Sequence, residues 1–549
     1  MMLNILPGIF TTAAILFAYL ILKEMTQDRF IAISLSLFLA FGTEIWQQSV
    51  VAEVYTLNLL IFVIMFYLIL RNEKDPRAAP AIFFCSGLAL TNHLTSLFYI
   101  IPMLVFLSLR KPKTLYYTPL TIIPLFLYLY LPMRSRLDPI PDLFNPETLS
   151  SLMAYVSGRA FQYRTFFFSG SYLIGELLVF LRAFWTQFFV LIPCGIYGFL
   201  YIRNKSLRNL LIIILVVISG YTLFYNIPDK QGYYLPVYGI WLIFTAAGLK
   251  KLIPKNVRPV LFILPVVSMF VNYRICDYSK NSSLGDLCSV IHKSLNRHSI
   301  FISDDYFVYC NILNQELNNT KHIIPVSQFY LRMDWYIEHL KTHYPEIKIP
   351  QQANRLITEC NIRLLHATKK EYGEISKQYC HEIQKELVNA NIDEKNIFLF
   401  VYDDAIWPQQ WFDFHLEYHG IHYQVRRDSV SPSIFPLKLP SAARYRTDIL
   451  VHEDAIAVSK KFAAAYNRRG IYRYHLNDFR NAIDDFGKAL EYYPGYYQVY
   501  SNLGLVYLNL GDTLKTLRAW QKYIENAEKG PKLDRIKSWY NQLQKEKHP

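Results

Sequence analysis

The run Ala52-Glu53-Val54-Tyr55-Thr56-Leu57-Asn58-Leu59-Leu60-Ile61-Phe62-Val63-Ile64-Met65-Phe66-Tyr67-Leu68-Ile69-Leu70, closed by Arg71, decides the architecture. Past Glu53 it carries no charge before Arg71. Its length is that of a helix crossing hydrocarbon, roughly 17–25 residues. Working outward, comparable runs recur over 1–22, 30–46, 79–92, 95–109, 115–133, 184–202, 209–226, 233–249 and 259–273. One such run alone reads as readily as a buried core helix. About ten in succession, punctuated by Lys and Arg, read as a polytopic α-helical membrane protein, with 79–92 and 95–109 the shortest spans. Beyond residue 274 the composition turns polar, so the chain has two different halves.

Charge orients the spans. Alternate loops carry Lys23 and Arg29; Arg71, Lys74 and Arg77; Arg110, Lys111 and Lys113; Arg203, Lys205 and Arg208; and Lys250, Lys251, Lys255 and Arg258. The opposite loops 47–51 and 93–94 have no Lys or Arg, and 227–232 has only Lys230. The positive-inside rule puts the first set in the cytoplasm. The second set, the long loop 134–183 and everything after 274 are then exoplasmic, in a periplasm or lumen, and a bacterial inner membrane is expected. The same rule puts Met1 outside, with no cleavable signal peptide before the first run. Either one span is miscounted or an N-terminal span is missing. The formal net charge of +14 is thereby topology signal, in part available to anionic lipid or phosphate, and no nucleic-acid partner is implied.

The outer edges hold the unusual polar residues. Glu53, His93, Arg134, Asp229 and Lys230 fall near one depth of the membrane. Ionisable groups there are costly unless paired or lining a wet cavity. Carboxylates for proton transfer beside Arg or Lys for phosphate suit a transferase with a phosphate-linked donor. The competing reading is interface anchoring by aromatic belts and snorkelling cations. Within 134–183, Asn145-Pro146-Glu147-Thr148 reads as a helix start. Leu149, Leu152, Met153 and Val156 give that helix an apolar face for the membrane surface. Arg159 and Arg164 follow it, to touch lipid phosphate or water.

The polar half divides again. Ser299–Ser303, His322–Val326 and Asn396–Val401 read as strands separated by helical segments, giving an α/β domain over about 280–430. Asp304, Asp305, Asp403 and Asp404 follow strand ends, where ligands often sit in α/β sheets, although turn or capping carboxylates read the same way. Pro432 to Pro440 reads as a linker. At the end, Gly470 and Gly504 lie 34 residues apart. Tyr466, Ala482, Phe486, Ala489 and Pro494, then Tyr500, Leu503, Tyr507 and Trp520, keep tetratricopeptide (TPR) offsets. The domains expected are a membrane domain over 1–275, an exoplasmic α/β domain and linker over 276–440, and a helical region over 441–549. The last holds two TPR repeats at about 463–530 and a capping helix, an α-solenoid with a groove for a protein partner. Cys276, Cys288, Cys310, Cys360 and Cys380 are on the oxidising side, and their odd number leaves at least one free or paired between molecules. No zinc spacing, Walker loop, dinucleotide fingerprint or nucleophile elbow occurs.

The segment Trp46 to Asn58, with Ala52-Glu53-Val54-Tyr55-Thr56-Leu57-Asn58, resembles a bacterial DUF2723-type family of membrane proteins of unknown function. That family is related to eukaryotic multi-span protein O-mannosyltransferases of the GT-C superfamily. Gly87 to Thr95 with Asn92 and His93, Tyr130 to Asp138 with Arg134, and Asn226 to Pro236 with Asp229 are similar in the same order. Asn272-Tyr273-Arg274, Asp277 and the Asp304 region resemble the entry to the family's outer domain. The resemblance implies a GT-C-like glycosyltransferase that moves a sugar from a polyprenyl-phosphate donor to a protein or glycan acceptor on the exoplasmic face. Glu53, His93 and Asp229 are its candidate catalytic residues. Asn92, Arg134, Arg136, Arg159 and Lys230 are candidates for the donor phosphate or substrate. A divalent metal is compatible with such a site, but no residue here fixes one. The family's usual acid lies in the first outer loop, which should precede Met1, so this chain is expected to be truncated and weak or inactive as an enzyme. Two other readings remain: a lipid-linked sugar transporter, and a non-catalytic scaffold holding envelope proteins on its repeats.

Overall fold

The computed structural model describes residues 4–139, 142–166, 170–227, 230–279, 281–318, 322–400, 414–428, 434–435, 437–445 and 452–547. The chain divides into two compact units. One is Met1–Pro139 with Leu143–Ser279, the other Ile140–Asp142 with Lys280–Pro549.

The first unit is helical and makes this a multi-pass membrane protein by length and composition. Among the described residues seven helices are long and apolar enough to span: Ile5–Thr26, Tyr55–Asn72, Pro112–Ser135, Gly170–Tyr201, Lys205–Leu223, Gln231–Leu252 and Arg258–Cys276. An eighth is made by Arg29–Ala40 and Thr43–Val50, bent by 58°, if the pair is one span. The difference from ten apolar runs has physical causes. Ala79–Asn92 has 14 residues, about 21 Å of helix, short of a hydrocarbon core of about 30 Å. The next run forms the short apolar helix Leu94–Arg110. The run at 30–46 breaks at Gly42, which is extended (φ −71°, ψ 145°). Ser268 Oγ and Asn272 Nδ2 each donate to the Phe41 carbonyl at 2.8 Å, satisfying the broken backbone. The run at 184–202 starts earlier, at Gly170. Glu176 disguises its opening turns, and that carboxylate is paired with Lys230 at 2.9 Å. The loop read as 134–183 is shorter for this reason.

Packing in this unit rests on close helix approach. A Cβ on Gly198 would fall 1.8 Å from the Phe244 carbonyl oxygen, and one on Gly248 2.0 Å from that of Cys194. The helices Ile192–Tyr201 and Leu235–Leu252 therefore touch backbone to backbone, as small residues permit in lipid. Arg258 Nη1 meets Asp28 Oδ2 at 2.5 Å, and its other nitrogens donate to the Ile253 and Lys250 carbonyls. In the loop, the helix expected after Asn145 runs over Leu149–Val156. Thr148 and Ser151 form its capping box, because the Thr148 hydroxyl accepts the Ser151 N–H. None of its residues is buried, and Leu149 and Met153 present its apolar face.

The second unit holds a five-stranded sheet in the order β2-β1-β3-β5-β4, with β1 Ile300–Ser303, β2 Ile324–Ser327, β3 Ile397–Leu399, β4 His415–His419 and β5 His422–Arg426. β1 pairs in parallel with β2 and β3, and β5 pairs antiparallel with β3 and β4. The three parallel strands are buried along their length, as helix-covered strands must be. Gly420 makes the β4–β5 turn at φ +81°, a conformation other residues adopt at a cost. A disulfide joins Cys288 to Cys310; Cys85, Cys194, Cys276 and Cys360 are outside any disulfide. The Asp304 carbonyl accepts the Phe307 and Val308 N–H groups, so Asp304 opens a helix. Asp403 and Asp404 lie outside the described residues.

Two helical hairpins and a closing helix complete this unit: Glu453–His475 with Phe479–Tyr492, Gln498–Asn509 with Thr513–Asn526, then Pro531–Lys547. Equivalent positions 34 residues apart keep equivalent roles. Gly470 faces the Phe486 ring, and Gly504 faces the Trp520 indole. Asn477 and Gly511, each after the first helix of its hairpin, both take positive φ (60° and 71°). The first helix begins at Glu453. Asp485 is fully buried and ion-paired with Arg469 at 2.6 Å and Arg473 at 2.9 Å.

Candidate functional site

A cleft of about 690 Å³ in the first unit gathers four segments distant in sequence. Asn92 and His93 end the Ala79–Asn92 helix, and Tyr128 comes from Pro112–Ser135. Gln162 and Thr165 come from the loop, Tyr221 from the end of Lys205–Leu223, Tyr225 from the segment after it and Tyr233 from the turn that opens the next helix. The loop is tied down there, since the Asn226 N–H donates to the Arg164 carbonyl at 2.9 Å.

His93 owes its place to a break in the helix. Its backbone is extended (φ −158°, ψ 133°), and its side chain caps the 3-10 turn Leu94–Ser96. Nδ1 accepts the Thr95 N–H at 3.3 Å and lies 2.7 Å from the Thr95 hydroxyl. Nδ1 is thus the acceptor, which assigns the neutral ring's proton to Nε2. The imidazole packs on Tyr233 (5.1 Å between ring centres) and Tyr55 (5.9 Å). Tyr233 stacks on Tyr225 at 6.0 Å, and Tyr225 on Tyr221 at 5.5 Å, so one wall of the cleft is a chain of phenol rings. Gly232 lets that wall close, because a Cβ there would meet the Tyr55 ring at 2.3 Å.

Asn92 Nδ2 donates to the Val54 carbonyl at 3.1 Å. That bond brings the segment Glu53-Val54-Tyr55 beside Asn92-His93. Glu53 is exposed, in a tight turn where its N–H donates to Val51 O at 2.8 Å, and it does not line the cleft. Arg134, Arg136 and Arg159 are exposed on the same unit; Arg159 directly follows the lining residue Gly158. Lys230 is placed differently. Its side chain is 2 % exposed, and its ammonium meets Glu176 at 2.9 Å, the Tyr172 hydroxyl at 2.8 Å and the Tyr225 carbonyl at 2.9 Å. An ammonium has three protons to give, and all three are engaged. In this arrangement Lys230 fixes Tyr225 in the cleft wall. Asp229 lies outside the described residues.

Of the eight residues singled out by sequence, Asn92 and His93 line the cleft. The tyrosine wall was not among them. Tyr221, Tyr225 and Tyr233 sit at span ends, where phenols read as interfacial belts; only their convergence on His93 distinguishes them. Among the described residues, no group of three metal-ligand side chains lies within either unit.

Residues 1–116 match the family model for the Protein O-mannosyl-transferase TMEM260 N-terminal domain. The matched stretch is similar to that domain and includes Glu53, Asn92 and His93, the two loops that the Asn92–Val54 bond joins. It ends before Arg134 and the tyrosine wall. No curated protein and no solved structure matches the chain.

Proposed function

We propose that this chain is a GT-C-type glycosyltransferase that takes a sugar, mannose by analogy with the matched family, from a polyprenyl-phosphate carrier. The cleft at His93 is its sugar-binding site, and the acceptor is a protein or glycan on the exoplasmic face. The observation that carries this reading is that the matched stretch supplies Asn92 and His93 to a cleft walled by tyrosines. Phenol faces suit the apolar C–H face of a pyranose, and polar groups around them orient its hydroxyls. The Nε2–H of His93 donates to a sugar hydroxyl. A carboxylate, Asp229 or else Glu53 from the segment that the Asn92–Val54 bond holds beside the cleft, accepts the proton of an acceptor hydroxyl entering from outside as its oxygen bonds to the anomeric carbon. The bond from that carbon to the phosphate oxygen breaks, and Arg134, Arg136 and Arg159 stabilise the departing lipid phosphate. Lys230 acts as a positioning residue through Tyr225.

The alternation of Lys- and Arg-rich loops supports an exoplasmic placement for the His93 edge and for residues after 276. The Cys288–Cys310 disulfide supports the same side, since such bonds persist in oxidising compartments. We read the two hairpins as tetratricopeptide repeats, which supply a surface for a protein partner.

Two experiments test these statements. Membrane vesicles carrying the chain, given polyprenyl-phosphate mannose labelled in the sugar, should bind the donor and transfer the label, at the low rate expected of a chain without the family's first-loop acid. His93→Ala should lower kcat/KM by about a hundredfold, within the usual range for a positioned proton-transfer or hydrogen-bonding group. Absence of both donor binding and transfer in a folded preparation overturns the reading. For orientation, a cysteine replacing Asn509 should react with an impermeant thiol reagent on intact cells; labelling only after the membrane is opened reverses the placement.

A further inference from the structure

The two hairpins of the second unit share their packing but not their charge. In the first, Lys488 lies over the Tyr466 ring at 5.8 Å and is paired with Asp484 at 2.7 Å. In the second, 34 residues on, Lys522 lies over the Tyr500 ring at 5.1 Å. There the acid is replaced by its opposite: Arg518 stands in the place of Asp484, and Lys515 in that of Asn481. Lys515 is held by Asp512 at 2.9 Å. Among the described residues Arg518 and Lys522 make no direct ion pair, and both are exposed; the Asp512 carboxylate, held by Lys515, acts on Arg518 only through space. One helical turn apart, they repel each other in the free protein. They rim a groove of about 380 Å³ whose floor is Tyr500, Leu503, Tyr507 and Ala519, with Glu525 as its one acid.

We propose that this groove is a docking site for an acidic segment of another polypeptide. Carboxylates meet Arg518 and Lys522 and relieve their repulsion, while an apolar side chain of the segment rests on Leu503 and Ala519. The apolar floor and Glu525 favour a peptide of mixed character over a plane of lipid phosphates, which offers nothing to the floor and meets Glu525 with like charge. The proposal rests on the second unit alone and is independent of the transferase reading.

The test uses the full chain in nanodiscs of zwitterionic lipid and a short fluorescein-labelled peptide of alternating glutamate and leucine, followed by fluorescence anisotropy. Binding should saturate and weaken with added salt. Arg518→Asp, which restores the first hairpin's charge at an exposed position, should weaken it about tenfold, one attraction being replaced by a repulsion. Lys488→Ala, in the first hairpin, should leave it unchanged. Equal binding of a lysine–leucine peptide, or unchanged affinity after Arg518→Asp, overturns the proposal. So does capture of phosphatidylserine vesicles by the chain without any binding of the acidic peptide.

Discussion

The two units solve the same packing problem with the same residue in different ways. In the membrane unit, Gly198 and Gly248 lie against carbonyl oxygens of the facing helix. In the hairpins, Gly470 and Gly504 lie against aromatic rings. Lipid gives no hydrophobic drive to bring helices together, so contact must come from close backbone approach. In water a large buried ring provides that drive, and glycine only makes room for it. The units also treat buried charge differently. The ammonium of Lys230 is shared among one carboxylate and two oxygens, whereas Asp485 gathers two guanidinium groups in the first hairpin.

The strongest way to break this comparison is Asp485→Ala. It leaves Arg469 and Arg473 without their common acid and should destabilise the hairpins by about 3–5 kcal/mol, the usual cost of removing one partner from a buried pair. Hydrogen exchange across 453–526 in the full chain measures it; a loss under about 1 kcal/mol removes Asp485 as the hub. Next comes the glycine contrast. Gly198→Ala should cost about 2–3 kcal/mol, because a carbonyl cannot rotate away from the new methyl. Gly504→Ala should cost about 1–2 kcal/mol, because the Trp520 ring can shift. Unfolding of the two variants in bilayers compares them directly, and equal costs would erase the distinction.

The smallest effect concerns pH and is read in the second unit. Burial, with His419 nearby, pushes the His422 imidazole down to about 3 from its ordinary value of 6.5. Between those values the unfolded chain holds the extra proton and the folded one does not. The stability of the second unit is therefore complete above pH 6.5 and falls as the pH drops from there toward 3. The slope is about 1.4 kcal/mol per pH unit for this one group. Hydrogen exchange at pH 7.5 and 5.5 should show the loss, and His422→Gln should reduce it by that amount. An unchanged pH response in the variant assigns the effect to other groups.

Much of the helical pattern is legible in the sequence because its signals are local. The uncharged run from Tyr55 to Leu70 states its own burial, and the spacing of Gly470 and Gly504 marks where two rings must fit. What stayed hidden depends on partners far along the chain. Glu176 reads as the polar end of a loop until Lys230 is placed beside it, and only then does the helix extend back to Gly170. Lys230 carries the charge a phosphate would want, yet its three protons are already given away. Tyr221, Tyr225 and Tyr233 look like any phenols at a membrane edge until the extended backbone of His93 turns its ring toward them. Asn92 and His93 could be found because the chain must break helix there, and a polar pair at such a break stands out.

The sheet of the second unit imposes an order in time. Strand β1, which lies between β2 and β3, pairs Ile300 with Ile324 on one side and with Ile397 on the other, a partner about four times as far along the chain. The near pairing can close as soon as the helix between them has left the ribosome, while the far side must wait for three further helices. Local hairpins such as 453–492 and 498–526 close quickly once made, whereas pairings of large sequence separation are slow. During synthesis the exposed edge of β1 is thus held open for about a hundred residues, the interval in which an unpaired strand is most prone to find the wrong neighbour.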